Sequence, residues 1–270
     1  MEVGELRREH KLALGALGAL AVAAAARYAD IFILRSPGEP GSIILSKLAG
    51  TLALVGYVAA SGVGWSTVGF TTRGIWRHTL LGLLLTALYM LLFEALAPAA
   101  EAWATGGSWE LSFRAGFNPL SREEWLITAM LVLNMPCEEG LFRGALQTSL
   151  AECIGRVKAN LAQALLFGLW HLVWPAYYGH GLLSWYAAHY VAYTAYFGLV
   201  AGFVYDQTRS LTAPIILHFL AGDNALNIRV VDAVVKAGGL QVAVIEGAAA
   251  LAYAAAAIAL SRQLDSSQLA

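Results

Sequence analysis

The sequence predicts an all-α polytopic membrane protein with about eight transmembrane helices, organised as a single integral membrane domain over residues 1–270. Of its residues, 59% are hydrophobic and only 13% are charged, whereas a soluble domain carries about 25% charged residues. The apolar runs are long and continuous, which favours helices over a membrane barrel. The formal net charge of −1 gives no reason to expect a nucleic-acid partner, so membrane lipids are the expected surroundings.

The first apolar run follows Arg7, Arg8 and Lys11 and superficially resembles a signal peptide. Because Arg27 and Asp30 follow it and more apolar segments come later, we predict a retained first helix. A small excess of Lys and Arg on the side of both termini predicts that these are cytoplasmic, in a protein of the cell membrane. At about 20 residues per crossing, the candidate spans are 12–34, 43–64, 78–98, 125–150, 159–176, 183–205, 211–227 and 240–260.

Two segments carry further local signals. The longest polar connection, 99–124, contains "WELSFRAGF", which we interpret as a helix lying in the membrane interface. Within the sixth span, Gly198 and Gly202 form G-x-x-x-G, a spacing that predicts close helix packing within the fold.

The fourth span carries three ionisable residues in the stretch "NMPCEEGLFRGALQ". Glu139 and Arg143 are spaced i,i+4 with the acid first, which is the favourable order for an ion pair on one helical face. Glu138 points about 100° away from Glu139, so Arg143 neutralises it less well. Charged residues within a membrane are costly and by default indicate a functional site. The sequence therefore predicts a structural pair and one unpaired, reactive glutamate.

Two further helices each carry a histidine. Phe167 and His171 are i,i+4 neighbours in "NLAQALLFGLWHLVWP", and His218 follows Pro214 in "SLTAPIILHF". Taken alone, each histidine could be a packed core residue. Together with Glu138, they supply a general base and donors for a developing oxyanion. They equally have the His₂Glu composition of a catalytic zinc site. Either chemistry would activate water and hydrolyse an acyl bond.

These residues resemble the motifs of a known family. "EEGLFR" (138–143) fits E-E-x-x-x-R, "FGLWH" (167–171) fits F-x-x-x-H, and "HFLAGDN" (218–224) resembles a third, histidine-led motif. Their order and spacing are similar to those of the CAAX protease and bacteriocin-processing (CPBP, or Abi) intramembrane proteases. The stretch 198–218 also resembles the family's approach to its third motif. The resemblance covers a catalytic core of about 65–227.

The resemblance implies an eight-helix fold with its active site in a cavity within the membrane. It also implies the hydrolysis of peptide bonds in membrane-associated peptides or lipidated proteins. Glu138 would activate the attacking water, which His171 would help to hold. His218 would stabilise the oxyanion, and Glu139 with Arg143 would brace the helix. Many members are described as metalloproteases, whereas a metal-free, glutamate-activated water has also been argued. The resemblance therefore leaves open whether Glu138, His171 and His218 bind Zn²⁺ or work without a cofactor.

The third motif departs from the usual H-x-x-x-N, because Gly222 stands four residues after His218. Asp223 is our candidate for the missing group, since glycine permits the twist that would turn it inward, and Asn224 is the second candidate. Without such a replacement the protein would be a catalytically silent membrane scaffold or chaperone of the same fold. A transporter is a third hypothesis, but the sequence has neither an inverted repeat nor paired broken helices.

Overall fold

The computed structural model describes residues 7–34, 44–115, 119–222, 228–236 and 239–266. These residues form a bundle of eight long helices with one small sheet, which confirms the predicted helical membrane architecture. By length and composition, five of these helices are able to cross a membrane; they are Arg8–Ile33, Ile44–Ser61, Ile75–Ala104, Trp185–Thr208 and Gly239–Leu264.

The helices, several of which continue through wider π-helical turns, are named in chain order. They are α1, Arg8–Tyr28 with the turn Ala29–Ile33; α2, Ile44–Ser61; α3, Ile75–Leu91 with Leu92–Leu96 and Ala97–Ala104; α4, Arg122–Glu139 with Gly140–Gln147 and Thr148–Ile154; α5, Arg156–Trp170; α6, Trp185–Thr208; α7, Thr212–Leu217 with His218–Gly222; and α8, Gly239–Ser266. A short helix, Val173–Tyr177, follows α5. The predicted span 211–227 corresponds to α7 and to residues 223–227, which lie outside the described residues.

Two of the π-helical turns lie where the predicted site residues are. In α4 the wide segment begins at Gly140, immediately after Glu139, and in α7 it begins at His218. A π-helical segment has one more residue per hydrogen-bonded turn and often occurs at functional sites. In this protein the two π-helical segments change the direction of the side chains that follow Glu139 and of those from His218 onwards.

Helices α5 and α6 pack closely through the two glycines of the G-x-x-x-G pattern, as predicted. A methyl group added at Gly198 would lie 3.2 Å from the Cα atom of Ala164. At Gly202 it would lie 2.1 Å from Oδ1 of Asn160 and 2.5 Å from Nε2 of Gln163. Glycine therefore allows two backbones to approach with a polar cluster between them.

The prediction of an interfacial helix at "WELSFRAGF" is wrong, because Ser108–Ala115 forms strand β1. It pairs antiparallel with β2, Ile228–Val234, and the register places Trp109 opposite Ala233. The physical reason is visible in the sequence: aromatic or aliphatic residues alternate with polar ones, and a period of two indicates a strand. The polar side of β1 also finds a charge partner, since Arg114 pairs with Asp232 of β2.

Candidate active site

Helix α4 places both glutamates and the arginine of the first motif in the interior of the bundle. Only 2% of Glu138 is exposed to solvent, and Glu139 and Arg143 are fully buried. The helix begins at a capped end, where the side chain of Ser121 accepts a hydrogen bond from the backbone N–H of Glu124. A long helix anchored at that cap therefore carries the charged residues into the apolar interior.

The predicted ion pair between Glu139 and Arg143 is present. Nη1 of Arg143 lies 3.2 Å from Oε1 of Glu139, and Nη2 donates to the backbone oxygen of Gly198 at 3.4 Å. The guanidinium also lies 4.3 Å from the ring centroid of Phe167, within the range of a cation–π contact. Arg143 thus connects α4 to both α5 and α6.

Glu139 also reaches α7, a contact that the sequence motif alone did not predict. Nδ1 of His218 lies 2.7 Å from Oε1 of Glu139. An ionised carboxylate can only accept, so Nδ1 carries the proton and donates it. The opposite ring nitrogen, Nε2, then faces Oε2 of Glu138 at 4.0 Å, which is too long for a direct hydrogen bond. Glu139 therefore fixes the orientation of the imidazole beside Glu138.

His171 lies at the C-terminal end of α5 and is buried in the same region. Its Nδ1 is 2.8 Å from the backbone oxygen of Phe167. Because a carbonyl only accepts, Nδ1 is the donor, and Nε2 of the neutral ring is left as an acceptor. The ring of Phe167 is centred 4.6 Å from that of His171 and 5.6 Å from that of His218. Phe167 thus lies against both histidines.

The prediction that Glu138 is unpaired is wrong. Nη1 of Arg27, on α1, lies 2.9 Å from Oε1 of Glu138, and the indole N–H of Trp170 donates to the same oxygen at 3.2 Å. The guanidinium lies 4.7 Å from the ring centroid of Trp170 and 5.6 Å from that of Trp174. One oxygen of Glu138 is thus held by two donors, while Oε2 is directed towards His218.

Arg27 is therefore a site residue that the sequence analysis missed. In the sequence it indicates only that the first helix is retained, although it lies inside the predicted span 12–34. Its position inside a predicted span was the signal, because an ionisable residue within the membrane by default indicates a functional site. In the structure it is only 7% exposed.

The third motif is described only as far as Gly222. A Cβ atom at this position would lie 2.8 Å from Cδ2 of His218 and 3.2 Å from Cζ of Phe197. Any side chain there would press on the imidazole, so this geometry requires glycine. Asp223 and Asn224, the predicted replacements, lie outside the described residues.

The donor set does not fit a zinc ion. Among the residues that the structure describes, no group of three His, Cys, Asp or Glu side chains is placed to hold a metal. The guanidinium of Arg27 also occupies Oε1 of Glu138, and a cation there opposes the binding of Zn²⁺ to the same carboxylate. The side chains and a water molecule are therefore the groups available for chemistry at this site.

Residues 121–222 match the family model described as Rce1-like, type II CAAX prenyl endopeptidase. The predicted CPBP, or CAAX protease, family is confirmed over these residues. Searches of curated proteins and of solved structures gave no significant match. The matched segment begins at the cap of α4 and ends with the described part of α7, so it contains all of the described residues of the three motifs; these are Glu138, Glu139, Arg143, Phe167, His171, His218 and Gly222.

The apolar helices indicate an integral membrane protein, and its segment 121–222 is similar to CAAX-type prenyl endopeptidases. The matched segment lies inside the catalytic core of 65–227 that the motifs predict, and those wider boundaries stay a prediction. The cytoplasmic position of the termini likewise stays a prediction.

Proposed function

We propose that this protein is an intramembrane endopeptidase that hydrolyses peptide bonds of membrane-associated substrates, in the manner of a CAAX prenyl protease. The observation that carries the proposal is the buried gap of 4.0 Å between Oε2 of Glu138 and Nε2 of His218. These atoms belong to different helices and are too far apart to bond directly, so a water or a substrate oxygen can lie between them.

Glu138 acts as the general base. Arg27 and Trp170 hold Oε1, which leaves Oε2 to accept the proton of the attacking water. The positive charge of Arg27 keeps the carboxylate ionised in an apolar region, where an unpaired charge would be costly. This ion pair thus maintains the form of Glu138 that can accept a proton.

His171 positions the water. Its Nδ1–H is committed to the backbone of Phe167, so Nε2 accepts a hydrogen bond from the same water that Glu138 deprotonates. A water that donates to these two acceptors is oriented so that one of its lone pairs points towards the carbonyl carbon of the substrate. General-base assistance of this kind contributes about 10²–10⁴-fold to a rate.

His218 stabilises the oxyanion that forms when water adds to the carbonyl. Glu139 accepts a hydrogen bond from Nδ1–H and thereby favours a second proton on Nε2, which gives a cationic donor towards the developing negative charge. The tetrahedral intermediate then expels the amine, which takes the proton that Glu138 received from water. The carboxylate is restored, and one C–N bond has been replaced by one C–O bond.

The decisive experiment compares Glu138→Gln with wild type on a library of peptides in membranes. We expect cleavage to be abolished, because the amide has nearly the same shape but cannot accept a proton. Glu94→Gln is the matched control, since Glu94 is a partly buried glutamate on α3, away from the motifs. Retention of more than a tenth of wild-type activity by a folded Glu138→Gln protein would exclude Glu138 as the base.

A catalytically silent scaffold or chaperone is the second candidate function. Two observations favour it: Arg27 already pairs with Glu138, and Gly222 leaves the third motif without its usual asparagine. If purified wild-type protein cleaves none of the peptides, and N-terminal proteomics finds no products that depend on the gene, the scaffold is supported and the protease is contradicted.

The replacement for the missing asparagine is tested separately. We propose that Asp223 completes the site, and that Asn224 is the alternative. Asp223→Ala should then remove most activity while Asn224→Ala keeps most of it. The opposite pattern assigns the role to Asn224, and full activity of both variants means that neither residue contributes.

A further inference from the structure

A polar cavity of about 590 Å³ lies at the end of the bundle where α3 and α5 begin and α6 ends. Three arginines line it: Arg73 precedes α3, Arg156 begins α5, and Arg209 follows α6. Hydroxyl groups of Ser66 and Thr71 line the same space. Arg156 is fifteen residues before His171 on α5, which at 1.5 Å per residue is roughly 22 Å. This cavity is therefore separate from the candidate active site.

The charges of this cavity favour an anion. Asp206 is the one acidic residue in the lining, and it lies 3.8 Å from Nη1 of Arg209. Asp206 also interacts electrostatically with Arg156. Three arginines and one carboxylate therefore leave an excess of two positive charges in the lining. Guanidinium groups recognise the oxygens of phosphate well, because their N–H donors are planar and always charged.

An apolar groove of about 410 Å³ adjoins this cavity between α5, α6 and α8. The two spaces share Arg156, Asp206 and Gln207 of their linings. Beyond these shared residues the groove becomes hydrophobic, with Leu161 on one wall and Phe203 on another. The two spaces together therefore suit a molecule with an anionic head and a hydrocarbon tail.

We propose that these adjoining spaces bind one anionic phospholipid, with its phosphate at Arg73, Arg156 and Arg209 and an acyl chain in the groove. The position agrees with this ligand, because basic pockets between membrane helices at the bilayer boundary bind lipid headgroups. Bound there, the lipid connects the ends of α3, α5 and α6. It stabilises the bundle at the boundary without contacting Glu138.

Native mass spectrometry of the full-length protein tests the proposal, with phosphatidylglycerol and phosphatidylcholine of equal chain length as probes. We expect wild type to retain phosphatidylglycerol at least tenfold better than phosphatidylcholine. Arg73→Gln/Arg156→Gln should lose this preference, whereas Arg77→Gln should keep it. Arg77 is the matched control because it is an exposed arginine at the start of the same helix but outside the cavity lining.

Two further arms separate the head from the tail. Ala254→Phe adds bulk to the groove wall and should weaken phosphatidylglycerol binding severalfold, while inorganic phosphate at millimolar concentration should compete poorly. Thermal unfolding of each variant checks that it is folded. Unchanged lipid preference in the double arginine variant would overturn the proposal. Equal competition by inorganic phosphate, together with unchanged binding in Ala254→Phe, would show a simple anion site and overturn the lipid assignment.

Discussion

Replacing Arg143 with alanine should lower the free energy of unfolding. The contacts of the Arg143 side chain set limits on the size of this loss. The guanidinium is fully buried and lies 3.2 Å from Glu139. Breaking a buried ion pair by removing one partner costs about 3–5 kcal/mol. Nη1 faces Glu139, but neither Nη1 nor Nε makes a hydrogen bond, so the cost of burying the guanidinium is only partly offset. We therefore expect a loss near the lower end, about 3 kcal/mol.

Unfolding by SDS in mixed micelles, followed by circular dichroism, measures this loss. Arg77→Ala is the control, since it removes an exposed arginine. In Glu139→Gln/Arg143→Gln neither charge is left unpaired, so the double variant should recover part of the stability. It should nevertheless stay poorly active, because a glutamine at position 139 no longer favours a cationic His218. If Arg143→Ala unfolds like wild type, the ion pair does not stabilise the fold and this reasoning is refuted.

Two other predictions follow from close contacts. Arg27→Gln should lower kcat by about 10- to 100-fold, since a hydrogen bond to a charged group contributes about 1.5–3 kcal/mol. Arg27→Lys keeps the positive charge and should keep more activity, so equal kcat for both variants would contradict a charge effect on Glu138. Gly202→Ala should destabilise the protein by about 1–3 kcal/mol, because the methyl group of the alanine would overlap with Asn160 and Gln163. An unchanged unfolding midpoint would mean that α5 and α6 separate easily.

The apolar runs determined the helices of this protein, and the i,i+4 spacing determined the ion pair of its first motif. A continuous hydrophobic segment in lipid must satisfy its own backbone hydrogen bonds, so the helices follow directly from composition. The pair of Glu139 and Arg143 follows equally directly, because residues four apart in any helix are neighbours. Strand β1 was equally predictable from the sequence, because apolar and polar residues alternate along Ser108–Ala115.

Only the tertiary structure decided which side chains meet across helices. Arg27 and Glu138 are separated by 111 residues, and His218 and Glu139 by 79. No periodicity encodes such pairs, because they depend on how each helix is rotated and placed against the next. The π-helical turns after Glu139 and from His218 change those rotations further. The motifs thus predicted which residues form the candidate site, and packing decided that Glu138 has a cationic partner and that Glu139 holds a histidine.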